Sequence, residues 1–155
     1  MIGQEVERIY IPSVDGLDSI ILYLEQWRKS GKPDFNQGSI TAVCYGEAWN
    51  FLAGNFGDRS IREFIAGCDE FYLGNKFAYG INEYVTDYDA ISKKLGFEVS
   101  SEYEVGLCSK QISEAFGPDF AYDLPQTENH KFQYVVKVAK RIIDHLNSEN
   151  KSEAA

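Results

Sequence analysis

The side chains from Ile40 to Leu52 repeat with a period of two, and no other stretch restricts the fold as tightly. Ile40, Ala42 and Cys44 alternate with Thr41, Val43 and Tyr45, as a strand with two unlike faces requires. Gly46-Glu47 interrupts the run and Ala48-Trp49-Asn50-Phe51-Leu52 resumes it, so the spacing predicts a hairpin turning at Gly46-Glu47. Gly54, Gly57 and Asp58 stop the second strand. Ser60-x-x-Glu63 then forms a capping box, in which the serine oxygen accepts from a free N–H at the helix start and the glutamate reaches back to the serine N–H. Ile61, Phe64 and Ile65 supply the apolar face of that helix, and Gly67 its stop. Asp69 caps another short helix, with Phe71, Tyr72 and Leu73 on its buried side.

Upstream, Val6, Ile9, Tyr10 and Ile11 predict a strand over Glu5–Ile11, ended by Pro12 and the turn-forming Asp15-Gly16. Asp18–Arg28 is less decided, since Ile20, Ile21, Leu22, Leu24 and Trp27 suit a helix about as well as a strand. A polar loop over Ser30–Gly38 would join it antiparallel to the Ile40 strand, which favours strand and completes a four-stranded meander. Downstream, Thr86 or Asp87 caps a helix through Ala90, Ile91 and Leu95 that Gly96 closes. Ser101-x-x-Glu104 opens a further helix through Val105, Cys108, Ile112, Ala115 and Phe116, with Gly106 as a candidate break. The segment PDFAYDLPQ (118–126) reads as irregular. Phe132, Val135, Val136, Ala139, Ile142, Ile143 and Leu146 then mark one face of a long amphipathic helix. The expected fold is α+β, a mainly antiparallel sheet of about four strands packed by several helices. Residues 1–147 read as one domain and 148–155 as a disordered polar tail.

The run Cys44-Tyr45-Gly46-Glu47-Ala48-Trp49, the Gly57-Asp58 before Ser60-Ile61-Arg62-Glu63-Phe64, and CDEFYLGNKF (68–77) carry a family likeness. With them the chain resembles a family of small proteins encoded by bacteriophages and prophages. The likeness is clearest over residues 39–77 and continues loosely into Asp87–Ile91 and Asp123-Leu124-Pro125. It brings no catalytic residue with it. It implies a mobile genetic element acting inside a bacterial host, with no signal peptide needed.

A chain of 155 residues, 44% apolar, suits one globular domain with a sizeable core. It holds no apolar run long enough for a membrane span, and Met1–Glu5 lacks the basic and apolar regions of a secretion signal, so the expected location is the host cytoplasm. Cys44, Cys68 and Cys108 are odd in number and widely spaced, unlike a disulfide framework or a zinc site. The net charge is −9. Between Glu83 and Glu128, ten acidic residues face only Lys93, Lys94 and Lys110, a local charge of −7. Lys131, Lys137, Lys140 and Arg141 follow on the last helix, a local basic exception. Direct nucleic-acid binding by the whole protein is therefore disfavoured, because no extended basic surface displaces counterions.

For chemistry, the thiols and the imidazoles of His130 and His145 are the natural nucleophile and base candidates. Cys44 falls on an alternating strand face and Cys108 on an apolar helix stripe, both positions for a buried small hydrophobe. Cys68 precedes a helix start and is the best candidate nucleophile, while His145 suits a helix end. The Asp87-x-Asp89 pair lacks the spacing of a calcium loop, and Gly54-x-x-Gly57 lacks either phosphate fingerprint, so no metal or cofactor is expected. Arg59, Ser60 and Arg62 at a helix start are a candidate anion site.

The acidic interval offers a candidate partner-binding face made of Glu83, Asp87, Asp89, Glu98, Glu102, Glu104, Glu114, Asp119 and Asp123. Asp87, Asp89, Glu102 and Glu104 also lie at expected helix starts, where negative charge is stabilising on its own account. Phe120, Tyr122, Phe132 and Tyr134 are either interface anchors or core. The expectation is a non-enzymatic phage or prophage accessory protein that binds a host protein, as an acidic inhibitor of host defence of the anti-CRISPR or anti-restriction type. The alternatives are a small enzyme using Cys68 or an anion site near Arg59, and a self-associating virion or assembly component.

Overall fold

The structure, a computed structural model, describes residues 5–28, 30–32 and 35–154, with side chains up to 151. Strands β1 (Val6–Ile11), β2 (Ile20–Arg28), β3 (Asn36–Cys44) and β4 (Glu47–Ala53) form an antiparallel sheet in chain order. The register aligns Ile9, Leu22, Ala42 and Trp49 in one row across it. Partners in a row share a face, so Ile11, Ile20, Leu24, Ile40, Cys44 and Ala53 are buried on the same side. Ile21, Tyr23 and Val43 turn the other way and are half-buried. Residues 20–28 are thus a strand, and the apolar run that left this open reflects partial cover on both of its faces.

The hairpin turns one residue earlier than expected, at Tyr45-Gly46, with Cys44 paired to Glu47. Both turn residues take positive φ, 49° at Tyr45 and 75° at Gly46, the type I′ arrangement whose twist suits the flanking strands. Gly46 adopts it freely, whereas Tyr45 does so at a cost of about 1–3 kcal/mol. β3 also begins at Asn36, inside the stretch expected to be loop. There Trp27 Nε1 donates to Gln37 Oε1 at 3.0 Å, and buried Asn36 donates from Nδ2 to the Arg59 carbonyl at 2.9 Å. Its backbone exchanges bonds with Phe56 and Gly57. Helices α1 (Ile61–Ala66) and α2 (Glu70–Phe77) start where their caps predict, with Ser60 Oγ accepting from Glu63 N and Asp69 Oδ1 from Phe71 N.

Packing divides the span read as one domain into two compact units, residues up to Ile81 with those from Lys131 onward, and Asn82–His130. The second unit runs β5 (Tyr84–Thr86), α3 (Tyr88–Leu95), α4 (Glu102–Leu107), α5 (Ser109–Phe116), α6 (Phe120–Asp123) and β6 (Gln126–Glu128). Asp87 caps α3, Gly96 closes it at φ 81°, and Ser101 caps α4. The helix read through Gly106 breaks just beyond it, at Cys108. The segment read as irregular holds α6 and leads into β6, which pairs antiparallel with β5; strands of three residues are too short to show a period. Ile91, Val99, Val105 and Ile112 form this unit's own core.

Helix α7 (His130–Ala154) returns to the first unit. Phe132, Val135, Val138, Ala139, Ile142 and Leu146 bury one stripe in the same cluster as the inner face of the sheet. Residues 148–154, expected to be disordered, are helical, and Ala155 lies outside the described residues. Glu149 supplies the reason: it accepts from Arg62 Nη1 at 3.0 Å, lies 3.1 Å from His145 Nε2, and shares Arg62 with Glu7 of β1.

A Cβ on Gly38 would stand 2.5 Å from Ile61 Cδ1 and 2.6 Å from the Glu25 carbonyl oxygen. The isoleucine tip can move, but the β2 backbone cannot without breaking its ladder. Gly38→Ala therefore lowers stability in urea unfolding by about 1–3 kcal/mol, and adding Ile61→Val, which clears only the methyl, does not restore it.

Candidate functional site

All nine residues of the candidate acidic face fall in the second unit, whose ten carboxylates and three lysines leave it at −7 of the chain's −9. They are of two kinds. Asp87 Oδ1 accepts from Ala90 N at 2.9 Å, and Glu104 Oε2 accepts from Ser100 N at 2.6 Å and from its hydroxyl at 3.1 Å. These two half-buried groups build helix starts. Glu83, Asp89, Glu98, Glu102, Glu114, Asp119 and Asp123 are exposed, and their carboxylates form no hydrogen bond or ion pair among the described residues. Asp89 and Glu102 still gain from the dipoles of α3 and α4.

Apolar side chains stand among these charges. Tyr122 is 90% exposed and Tyr103 75%, with Leu107 and Tyr84 also open. Of the four aromatics read as anchors or core, Tyr122 alone is exposed. Phe120 packs on the unit's core, Phe132 is buried, and Tyr134 is half-buried against Cys44. Tyr103 and Leu107 had a signal in the sequence, since residues four apart share a helix face and Val105 takes the opposite one. Lys94 Nζ lies 4.5 Å from the centre of the Phe116 ring, which occupies one of the few cations. A cleft of 590 Å³ in this unit is lined by Asp87, Asp89, Ser92, Glu98, Ser100 and His130 among others. Asp87 is committed to its cap, so Asp89 and Glu98 are the carboxylates left to face a ligand. Among the described residues no three acidic, His or Cys side chains are placed to hold a metal ion.

The thiols are engaged in packing. Cys44 is buried, 3.3 Å from the Tyr134 hydroxyl, and this bond, burial and the charges of Cys44, Asp18 and Glu47 push the phenol up. Cys108 rests half-buried on the second core. Cys68 donates to the Phe64 carbonyl at 3.2 Å, and burial pushes its thiol up further than nearby Arg59 lowers it. The candidate anion site is engaged as well. Ser60 Oγ caps α1, Arg59 Nε donates to the Phe56 carbonyl at 3.2 Å, and Arg62 is held by Glu7 and Glu149. The bond to Glu7 is the main reason that the Arg62 guanidinium is raised above its ordinary value. An incoming anion would have to displace carboxylates from it.

Two outcomes follow from this geometry. Asp87→Ala lowers stability by about 1 kcal/mol in urea unfolding while Asp87→Asn, an equally good cap, leaves it near wild type. Because Cys68 favours the neutral thiol, its peptide-mapped labelling by iodoacetamide near pH 8 is slower than that of a free cysteine peptide, and rises as the pH is taken above the ordinary thiol range.

Neither the curated proteins nor the solved structures contain a match to this chain. Residues 1–148 match the model of the family named Phage_phiTE_072, described as a phage family. With the match spanning nearly its whole length, the chain belongs to that phage family.

Proposed function

We propose that this phage protein works by binding a basic host protein through its acidic second unit, without catalysing a reaction, and that it inhibits a host defence system in doing so. The observation that carries the reading is the set of seven exposed carboxylates that form no hydrogen bond or ion pair among the described residues, in the same unit as the exposed side chains of Tyr103, Leu107 and Tyr122. Carboxylates with no internal bond contribute little to the fold, yet their summed field attracts a cationic surface and speeds encounter. Exposed aromatic rings supply the affinity that charge alone does not. The nucleic-acid channel of a restriction or CRISPR effector is a surface of the matching kind, positively charged and built to take an acidic ligand. The raised Cys68 thiol and the double clamp on Arg62 weigh against reading either as the centre of a reaction.

The test is affinity capture from host lysate at low and high salt, with the wild type and a variant combining Glu98→Gln, Glu102→Gln, Glu114→Gln and Asp119→Asn. The reading expects a partner that is held at low salt and released at high salt. The variant, which stays folded with a midpoint close to wild type, binds that partner about tenfold more weakly or worse. Capture that is equal for both chains and indifferent to salt, or no partner under either condition, overturns it.

A further inference from the structure

The register places Ile11, Ile20, Cys44 and Glu47 in a single row, so the loop after β1 and the turn after β3 leave the sheet at the same end. Two exposed apolar side chains stand there, Val14 and Tyr45. Tyr45 is 81% exposed and holds a left-handed φ of 49° that Asn or Gly would adopt with less strain. Strain with so little burial in return is the pattern of a residue kept for outside contact. The loop also borders a depression of 350 Å³ lined by Ser13, Val14, Gly16, Leu17, Asp18 and Tyr134. Asp15, Asp18 and Glu47 form no ion pair among the described residues. Asp18 lines this depression beside Tyr134, and Glu47 begins β4 at the same end of the sheet. From α7, Arg141 donates to the Pro12 carbonyl at 3.1 Å and braces the loop, and Lys137 Nζ lies so near Gly16 that a Cβ there would stand 3.5 Å from it; neither forms an ion pair with the three carboxylates among the described residues.

We propose that this end of the sheet is a second protein-binding surface, in which the Tyr45 ring enters an apolar hollow on a basic partner and the depression receives an Arg or Lys from it. The stem of that side chain lies along Val14 and Leu17, and its cationic head meets Asp18. The occupant is a basic protein, because the three carboxylates repel nucleic-acid phosphates. A second copy of the chain would bring three more unpaired carboxylates against them. The surface belongs to the first unit, and nothing in its case uses the acidic second unit.

The probe is p-benzoylphenylalanine in place of Tyr45 in the full chain, photo-crosslinked in host lysate, with the same replacement at Tyr79, itself 95% exposed, as control. Proteins captured from position 45 and not from position 79 are identified, purified and titrated against wild type, Tyr45→Asn and Asp18→Asn. Tyr45→Asn is expected to raise the urea midpoint while weakening binding about tenfold or more, and Asp18→Asn to weaken binding at an unchanged midpoint. Cross-linking no greater than at Tyr79, or only to another copy of the chain, overturns the proposal, as does a lowered midpoint for Tyr45→Asn. The four-residue second-unit variant, titrated in parallel, separates the two surfaces. Binding that it alone abolishes, with Tyr45→Asn and Asp18→Asn neutral, removes this surface and leaves the acidic unit standing.

Discussion

A sheet with one apolar face has to be covered, and here the cover comes from the far end of the chain. Ile20, Leu22, Leu24 and Ile40 share one buried cluster with Val138, Ile142 and Leu146 of α7. Burying each such side chain contributes about 1.5–3 kcal/mol, and the strands and α7 depend on each other for it. The close approach of α2 to α7 has a specific cause. Gly74 lies so near Val136 that a Cβ there would stand 2.8 Å from Val136 Cγ2. Only a residue without a side chain lets the two helices meet at that point. Residues 82–130 are inserted between these two helices in the chain and carry a small core of their own.

The two units use charge differently. In the first, Arg62 links Glu7 of β1 with Glu149 of α7 and Lys140 pairs with Asp144, while Asp15, Asp18 and Glu47 form no ion pair among the described residues. In the second, two carboxylates build helix starts and seven face solvent without a partner among the described residues. Partly exposed ion pairs are worth little individually, but a network that ties a first strand to a last helix limits fraying at both. Unpaired carboxylates do the opposite for stability, since mutual repulsion slightly disfavours the compact state. The larger number of unpaired carboxylates in the second unit is what its proposed role in partner binding rests on.

Much of the fold was legible because its signals are local. Capping at Ser60, Asp69, Asp87 and Ser101 depends on a side chain two or three residues from the N–H it serves, and all four helices start where expected. The stripe on α7 was equally plain. Two departures have their cause at a distance along the chain. Asn36 joins β3 because of bonds to Phe56, Gly57 and Arg59, and the end of α7 is held by Arg62. The hairpin turns one residue before the position its spacing suggests for a local reason: a type I′ turn needs positive φ at both central residues, and tyrosine rarely signals that conformation. In the candidate site, the nine carboxylates could be named from composition, but not which two were structural.

Periodicity, capping and composition were enough to read the α+β class, three strands of the four-stranded sheet, the four capped helix starts and the concentration of acid between Glu83 and Glu128, while the strand over residues 20–28 stayed open between helix and strand. Folding in three dimensions made the acidic interval a compact unit, split its carboxylates into helix-start groups and charges unpaired among the described residues, and engaged Cys68 and Arg62 internally. Burial and partnership are properties of groups brought together from distant parts of the chain, and no local pattern of residue types encodes which of them will meet.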